Sequence, residues 1–351
     1  MSSKLNPPQR EAIRHLDGPL LVLAGAGSGK TRVITHKIAW LVEECGLSPA
    51  HIAAITFTNK AAREMQERTA KLMPGRPLKG LTISTFHSLG VRILRQEARH
   101  CELKPGFSIL DSSDCAGILA ELLANTDKAL IRATQSRISN WKNALLEPEA
   151  ALQAAADPQE MAAAKLFLEY ERTLRAYQAV DFDDLIRLPA RLFESKPEVL
   201  THWQGRLRYL LVDEYQDTNK CQYHLLKQLA GPRAALTAVG DDDQSIYAWR
   251  GADVENLNQL QRDFPLLKVI KLEQNYRSTT RILKAANNLI AHNPKLFEKK
   301  LWSEHGHGDA IHVAACRDGD HEAELVVMKL QAHKFQHRTH FRDYAILYRG
   351  N

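Results

Sequence analysis

Residues 24–31 read AGAGSGKT, set between the apolar run LLVL (20–23) and a stretch in which Val33, Ile34, Ile38, Leu41 and Val42 share one helical face. The glycines at 25, 27 and 29 let backbone N–H groups turn inward, and a helix starting at the same place adds partial positive charge. That is chemistry for cradling phosphate oxygens. Ala26, Gly27, Ser28 and Gly29 would form the cradle. Lys30 would reach the β- and γ-phosphates of a nucleotide, and the Thr31 hydroxyl would ligate Mg2+. The strict form of the pattern asks for glycine at position 24, where Ala24 stands.

Such a site needs an acid at the end of a second apolar strand, and YLLVDEYQD (209–217) supplies two. Asp213 would hold the metal through water, and Glu214 would orient and deprotonate an attacking water. A capped strand end explains one acid but not the Asp-Glu pair. In GDDDQSIYAWRGAD (240–253), Gln244 can hydrogen-bond a phosphate oxygen or the attacking water. Tyr247 and Trp249 offer flat faces to nucleobases, which stack on aromatics whatever their sequence. The alternation of Ile246 and Ala248 with Tyr247 and Trp249 reads equally as one buried face of a strand. Phe57 and His87 carry the same ambiguity. In LEQNYRST (272–279), Arg277 follows a strand and could bring positive charge to a γ-phosphate.

These residues need a scaffold that delivers them to one place. Short apolar runs at 20–23, 52–57, 81–84, 209–213, 236–240, 269–272, 311–315 and 344–348 alternate with helical patterns, which predicts parallel sheets built from βαβ units. Residues 86–195 lack strand signals and are rich in helix formers, which predicts an all-helical insertion. The expected division is a first motor domain over 1–85 and 196–276, the insertion over 86–195, and the start of a second α/β unit over 277–351. The last run, YAILY, stands almost at the chain's end, so that second unit is expected to be only begun.

The 351 residues are 44% hydrophobic, enough for two or three packed domains. No apolar stretch reaches membrane-spanning length and the N-terminus lacks a secretory pattern, so no membrane partner and a cytoplasmic location are expected. Five scattered cysteines read as ordinary buried thiols, and fifteen histidines show no metal-ligand spacing. Net charge is +6. Residues 1–85 carry 12 basic and 6 acidic side chains and residues 277–351 carry 12 and 8, so a polyanionic partner is one reading and solubility the other. Arg92, Arg95 and Arg99, like Lys60, Arg63 and Arg68, read as solvated helix faces or as phosphate contacts. Asp183 and Asp184 read as acids at a helix N-terminus.

Taken in order, AGAGSGKT, ITFTNKAAREM (55–65), ISTFH (83–87), VDEYQDTN (212–219), VGDDDQSIYAWRGA (239–252) and LEQNYRST resemble the motifs of the UvrD/Rep family, the superfamily 1A DNA helicases. The resemblance covers essentially the whole chain. It implies a RecA-like P-loop NTPase sheet with a helical insertion and the start of a second RecA-like domain. It also implies a 3′-to-5′ motor that uses ATP and Mg2+ on single-stranded DNA and at single-strand/double-strand junctions, with replication-fork proteins as partners. Residue by residue, Gln9 resembles the glutamine that reads adenine. Arg32 and Tyr276 resemble the pair flanking its ring, Gln244 the γ-phosphate sensor and Arg277 an arginine finger. Phe57, Thr85, His87, Tyr247, Trp249 and Arg250 resemble a single-strand track. The family's later motifs are absent from these residues. The motor part of a recombination helicase-nuclease, and a module in which ATP only switches DNA affinity, remain alternative readings.

Overall fold

Runs of Leu, Ile, Val and Ala with no polar side left over can be buried only if both faces of a sheet are covered. In the computed structural model, which describes residues 5–247, 251–253 and 255–348, that is what they do. In chain order the strands are β1 (Leu20–Ala24), β2 (Ile52–Thr56), β3 (Thr82–Thr85), β4 (Ser108–Ile109), β5 (Ala179–Val180), β6 (Tyr209–Val212), β7 (Leu236–Gly240) and β8 (Lys268–Leu272). Six form one sheet in the order β3-β2-β6-β7-β1-β8, and every pairing is parallel. The other two, β4 and β5, form a short parallel pair inside the region expected to hold only helices.

Side-chain alternation splits the strands between two cores. Leu21, Leu23, Ala53, Ile55, Leu210 and Val212 face one, and Leu20, Val22, Ala24, Ile52, Ala54 and Leu211 face the other. At the sheet's margin, β8 exposes Lys268 and Lys271, charges that discourage edge-to-edge pairing.

Between β3 and β6 lie seven helices, Phe86–Glu97, Ser112–Leu123, Lys128–Asn143, Pro148–Ala154, Pro158–Ala176, Asp184–Ser195 and Pro197–Arg206. The Phe86–Glu97 and Asp184–Ser195 helices pack into the sheet's own core through Phe86, Leu89, Ile93, Ile186 and Ala190. Their close crossing needs Gly90, where a Cβ would lie 1.7 Å from the Leu185 carbonyl oxygen. The helices between them build a separate core around Phe167, Tyr170 and Leu119.

A buried ion cluster ties these layers together. The Lys142 ammonium, fully buried, lies 2.7 Å from Glu171, 2.7 Å from Asp181 and 2.9 Å from Asp184. The Arg187 guanidinium shares Asp184 at 3.1 Å and also contacts Glu171. Asp183 and Asp184 stand, as expected, at a helix N-terminus, and buried cations hold Asp184 there as well. The Asp183 side chain makes no cap to its helix and instead accepts from Asn143 Nδ2 at 2.9 Å. Arg92 and Arg95 also serve the fold, donating to Thr82 Oγ1 and to the Pro105 carbonyl, each at 2.7 Å. Two of the five cysteines, Cys115 and Cys221, are buried, which corrects the expectation for the other three.

Residues 307–351 form a second, small unit. It holds the helix Gly319–His337 and a turn Phe341–Asp343, with the Tyr344 hydroxyl 2.7 Å from His333 Nδ1. The strands expected at 311–315 and 344–348 are not formed. A strand requires a hydrogen-bonded neighbour, and among the described residues of this unit there is none. Val313 and Leu347 are accordingly 93% exposed. No helix among the described residues is long and apolar enough to cross a membrane.

Removing one partner of a buried ion cluster leaves the others uncompensated, at a cost of about 3–5 kcal/mol. Lys142→Met is expected to lower unfolding free energy by that amount in urea titrations at pH 7.5. The deficit should shrink toward pH 5. Burial already pushes Asp181 up to about 6, and without Lys142 the folded carboxylates bind protons tighter still, so the variant's stability is lost as pH rises.

Candidate functional site

At the carboxyl end of β1 the chain enters a loop that its own side chains close. Ser28 Oγ donates to the Gly25 carbonyl at 2.7 Å. Gly27 and Gly29 adopt left-handed φ of 72° and 94°. The helix Lys30–Glu43 begins with Gly29 as its N-cap and no side-chain cap, so its first N–H groups face the loop. Gln9 lies buried beneath, its Nε2 donating to the Ser28 carbonyl at 2.9 Å and its Oε1 accepting from Asn6 N at 3.2 Å. Its amide supports the loop from below.

From β6, Asp213 and Glu214 reach the same place. Glu214 has φ 50° and ψ 44°, left-handed for a non-glycine residue, a conformation of the kind that collects at working sites. In it the Glu214 carboxylate pairs with the Lys30 ammonium at 2.9 Å. Thr31 Oγ1 donates to Asp213 Oδ2 at 3.4 Å. Burial, reinforced by the Glu214 charge, pushes Asp213 up to about 6, with Lys30 opposing. The half-buried Asp217 is raised likewise to about 6, by burial and then by Glu214.

From β8, the segment 274–278 folds over the loop. Tyr276 N donates to the Gly27 carbonyl at 2.9 Å, and Asn275 Nδ2 donates to the Ala26 carbonyl. A side chain at position 27 would strike Asn275 Nδ2 at 2.6 Å, so glycine is required there. Asn275 Oδ1 accepts from the N–H groups of Arg277 and Ser278 at 2.8 and 2.7 Å, which fixes the turn that presents Arg277.

Together these residues enclose a cleft of about 450 Å³ lined by Ala26, Gly27, Gly29, Lys30, Thr31, Arg32, Arg68, Glu214, Gln244, Tyr276 and Arg277. Of the residues expected at the nucleotide, Gln9, Ser28 and Asp213 stand behind this wall. Four residues escaped the sequence reading in these roles. Arg68, read as a helix-face charge or a phosphate contact, lines the cleft. Asn275 holds the loop. Gln216 is buried and bridges the strands' ends, donating to Glu214 Oε2 at 3.0 Å and Asp217 Oδ2 at 3.3 Å while accepting from Asp241 N at 2.9 Å. Lys299 inserts its ammonium among Asp241, Asp242 and Asp243. Those three carboxylates are grouped closely enough for a metal ion, but the lysine occupies the position. Gln216 and Asn275 lie within the motifs VDEYQDTN and LEQNYRST, whereas Lys299 lies in none of them.

The expected track is more mixed. Phe57 is half-buried, its ring 5.4 Å from that of Phe86. Thr85 caps the Phe86–Glu97 helix, accepting from Ser88 N at 3.1 Å. The His87 ring meets the half-exposed Phe182 edge-on at 6.2 Å, and burial pushes its imidazole below the ordinary value. Tyr247 is exposed. Trp249 and Arg250 lie outside the described residues.

Comparison with known proteins places this arrangement. Residues 5–265 match the family model described as the UvrD/REP helicase N-terminal domain, and residues 270–351 match the UvrD-like helicase C-terminal domain. Over 351 residues the chain is 53% identical to the ATP-dependent DNA helicase Rep of Escherichia coli (strain K12), covering 99% of this chain and 52% of that protein. It is 45% identical to Rep of Buchnera aphidicola subsp. Acyrthosiphon pisum, across 99% of this chain and 54% of the relative. It is also 45% identical to the ATP-dependent DNA helicase PcrA of Staphylococcus aureus (strain Mu50), across 99% and 48%. The chain thus spans about half the length of the curated relatives it matches.

The buried Asp213 carboxylate destabilises the nucleotide-free protein. A rise from 3.8 to about 6 corresponds to about 3 kcal/mol at neutral pH, as an order of magnitude. The folded state holds this proton more tightly than the unfolded one, so the benefit of protonation is complete below the unfolded value and is lost as pH rises through about 6. Asp213→Asn is therefore expected to raise the melting temperature above wild type at pH 7.5. The advantage should fade between pH 6 and 4 in a series of thermal melts.

Proposed function

This chain belongs to the UvrD/REP helicase family, and from that premise we propose that it is an ATP-dependent motor of the Rep type, moving 3′ to 5′ on single-stranded DNA and acting at its junctions with duplex. The observation that carries the reading is the cleft itself. Lys30, Glu214, Gln244 and Arg277, from four separate sequence motifs, line one space of nucleotide dimensions. Residues 1–85 and 196–276 are assigned to the first motor domain, 86–195 to an insertion and 277–351 to the beginning of a second motor domain.

The resting ion pair indicates how the site responds. A triphosphate entering the cradle competes with Glu214 for the Lys30 ammonium. Glu214 is then free to accept a proton from a water lined up on the terminal phosphate. Arg277 and Arg68 line the same cleft and would offset charge that develops there. Thr31 Oγ1 and Asp213 Oδ2, 3.4 Å apart, suit the inner and outer shells of one divalent ion. Mg2+ held there would neutralise phosphate charge and fix the phosphate geometry. Arg32 and Tyr276, which line the same cleft, are assigned to flank the base.

The loops that end at this cleft begin the surface assigned to DNA. Gln244 is three residues from Tyr247, whose ring is exposed. His87 and Phe182 present a second aromatic patch next to Phe57 and Thr85. Base stacking contributes about 1–3 kcal/mol per ring and no sequence preference, which suits a track rather than a reader.

Stimulation of ATP turnover by single-stranded DNA tests the reading. Wild-type turnover should rise on adding unstructured oligonucleotide. Glu214→Gln should lower the stimulated rate by about 10²–10⁴-fold while nucleotide still binds. Phe182→Ala should weaken DNA binding without changing turnover in its absence. A rate that ignores DNA would overturn the assignment, and stimulated turnover without displacement of streptavidin from a biotinylated strand would favour an ATP-switched binding module.

A further inference from the structure

The acid run of GDDDQ is the part of the site that the nucleotide reading leaves unexplained. Gln244 faces the cleft, but the three aspartates before it turn toward the strap formed by residues 298–302. Lys299, almost fully buried, contacts Asp241 and Asp242 and lies 3.1 Å from Asp243. Asp241 is itself buried, and its two carboxylate oxygens are divided. Oδ1 accepts from Lys299 and Oδ2 accepts from Gln244 Nε2. Its backbone N–H is held by Gln216 Oε1.

The same strap covers the phosphate loop. Leu301 lies so close to Gly25 that a Cβ there would stand 2.2 Å from Leu301 Cδ2. The strap's backbone is fixed at several points. Asn275 N donates to the Trp302 carbonyl at 2.7 Å, Lys300 N donates to Glu273 Oε1 at 2.8 Å, and Asn287 Nδ2 donates to the Leu301 carbonyl at 2.8 Å. One short segment therefore touches the loop through Leu301 and the sensor turn through Lys299.

We infer that Lys299 is a positioning residue for Gln244: by binding the Asp241 carboxylate it orients the acceptor that holds the glutamine amide toward the cleft. Two physical arguments support this. Three adjacent carboxylates at the rim of a triphosphate site would repel the incoming phosphates, and one ammonium placed among them reduces that repulsion. A glutamine side chain also has several rotamers, and only a fixed acceptor selects the one that faces the cleft. Lys299 supplies both effects without touching the nucleotide.

This inference rests on the cleft's being an ATP site, so its test separates the two claims. Binding of the non-hydrolysable analogue AMP-PNP and of ADP, both with Mg2+, is measured by calorimetry for wild type, Lys299→Ala, Lys299→Arg, Gln244→Ala, the Lys299→Ala/Gln244→Ala double variant and Lys30→Ala. A sensor of the third phosphate affects only the triphosphate. Lys299→Ala is expected to weaken AMP-PNP about tenfold while ADP stays within about twofold. Lys299→Arg should recover part of the loss, and in the Gln244→Ala background Lys299→Ala should cost clearly less than it does in wild type, leaving only the repulsion of the three carboxylates. Equal weakening of both nucleotides, or losses that simply add in the double variant, would overturn the inference. If Lys30→Ala binds both nucleotides as wild type does, the ATP site itself is wrong, whatever Lys299 does. Should Lys299→Ala melt below the assay temperature, Lys299→Gln, which keeps the length and loses the charge, is read by the same criteria.

Discussion

All six strands of the main sheet run the same way, and the site follows from that constraint. A parallel sheet is covered on both faces, so the chain must cross over after each strand, and every strand opens at the same edge. Lys30 after β1, Thr85 at the end of β3, Asp213 after β6, Gln244 after β7 and Arg277 after β8 are delivered there without any local attraction between them. Strand order then sets the neighbours. Because β1 lies between β7 and β8, the phosphate loop is flanked by the glutamine turn on one side and the arginine turn on the other. With β6 next beyond β7, Glu214 is near enough to pair with Lys30.

Charge at that edge is balanced so that it can be rearranged. Lys30 and Glu214 form a pair with the carboxylate more than a third exposed, and such a pair contributes only about 0–1 kcal/mol. The left-handed backbone of Glu214 and the raised Asp213 carboxyl are both unfavourable to the fold. Lys299 behaves differently. It is buried against three carboxylates, so the cost of removing it is high and its partners do not exchange. One lysine of the site is therefore paired near solvent and the other is enclosed by its partners.

What could be read from the residues beforehand depended on how local the signal was. The phosphate loop, the acid pair and six strands are contiguous patterns, in which spacing within a dozen residues encodes the geometry. Lys299 acts through contacts with a distant part of the chain and no motif marks it, while Asn275 lies within LEQNYRST but its reach to the Ala26 carbonyl spans 249 residues. Phe182 sits in VDFDDLI, where the acids draw the eye and the ring between them does not. The two strands expected at 311–315 and 344–348 had the right composition, but a strand is a property of a pair, and composition does not supply the neighbour. The Asp183–Asp184 pair was legible as acids at a helix N-terminus, but the lysine that also holds Asp184 lies 42 residues away and was not.

The same ion cluster also fixes the segment that carries Phe182. Asp181 is fixed by Lys142 and by the Tyr170 hydroxyl at 3.1 Å, and Asp183 by Asn143. Phe182 lies between two anchored residues, so its ring is exposed while its backbone is not free to move. Asn143 Oδ1 in turn accepts from Asn219 Nδ2 at 2.6 Å, and Asn219 caps the helix that follows the acid motif. Thr218, one residue earlier, accepts from Asn256 through its carbonyl at 2.7 Å. The turn that carries Asp213 and Glu214 is thereby fastened to the insertion on one side and to the helix Glu255–Asp263 on the other. Buried ion pairs are poor evidence for net stability, since apolar residues often serve as well. Rigidity is the better account of this one. In the proposed track, a ring on a loose loop would lose about 0.5–1.5 kcal/mol in ordering on meeting a base, a large part of what one stack contributes. Anchoring the residues on either side of Phe182 settles that cost during folding.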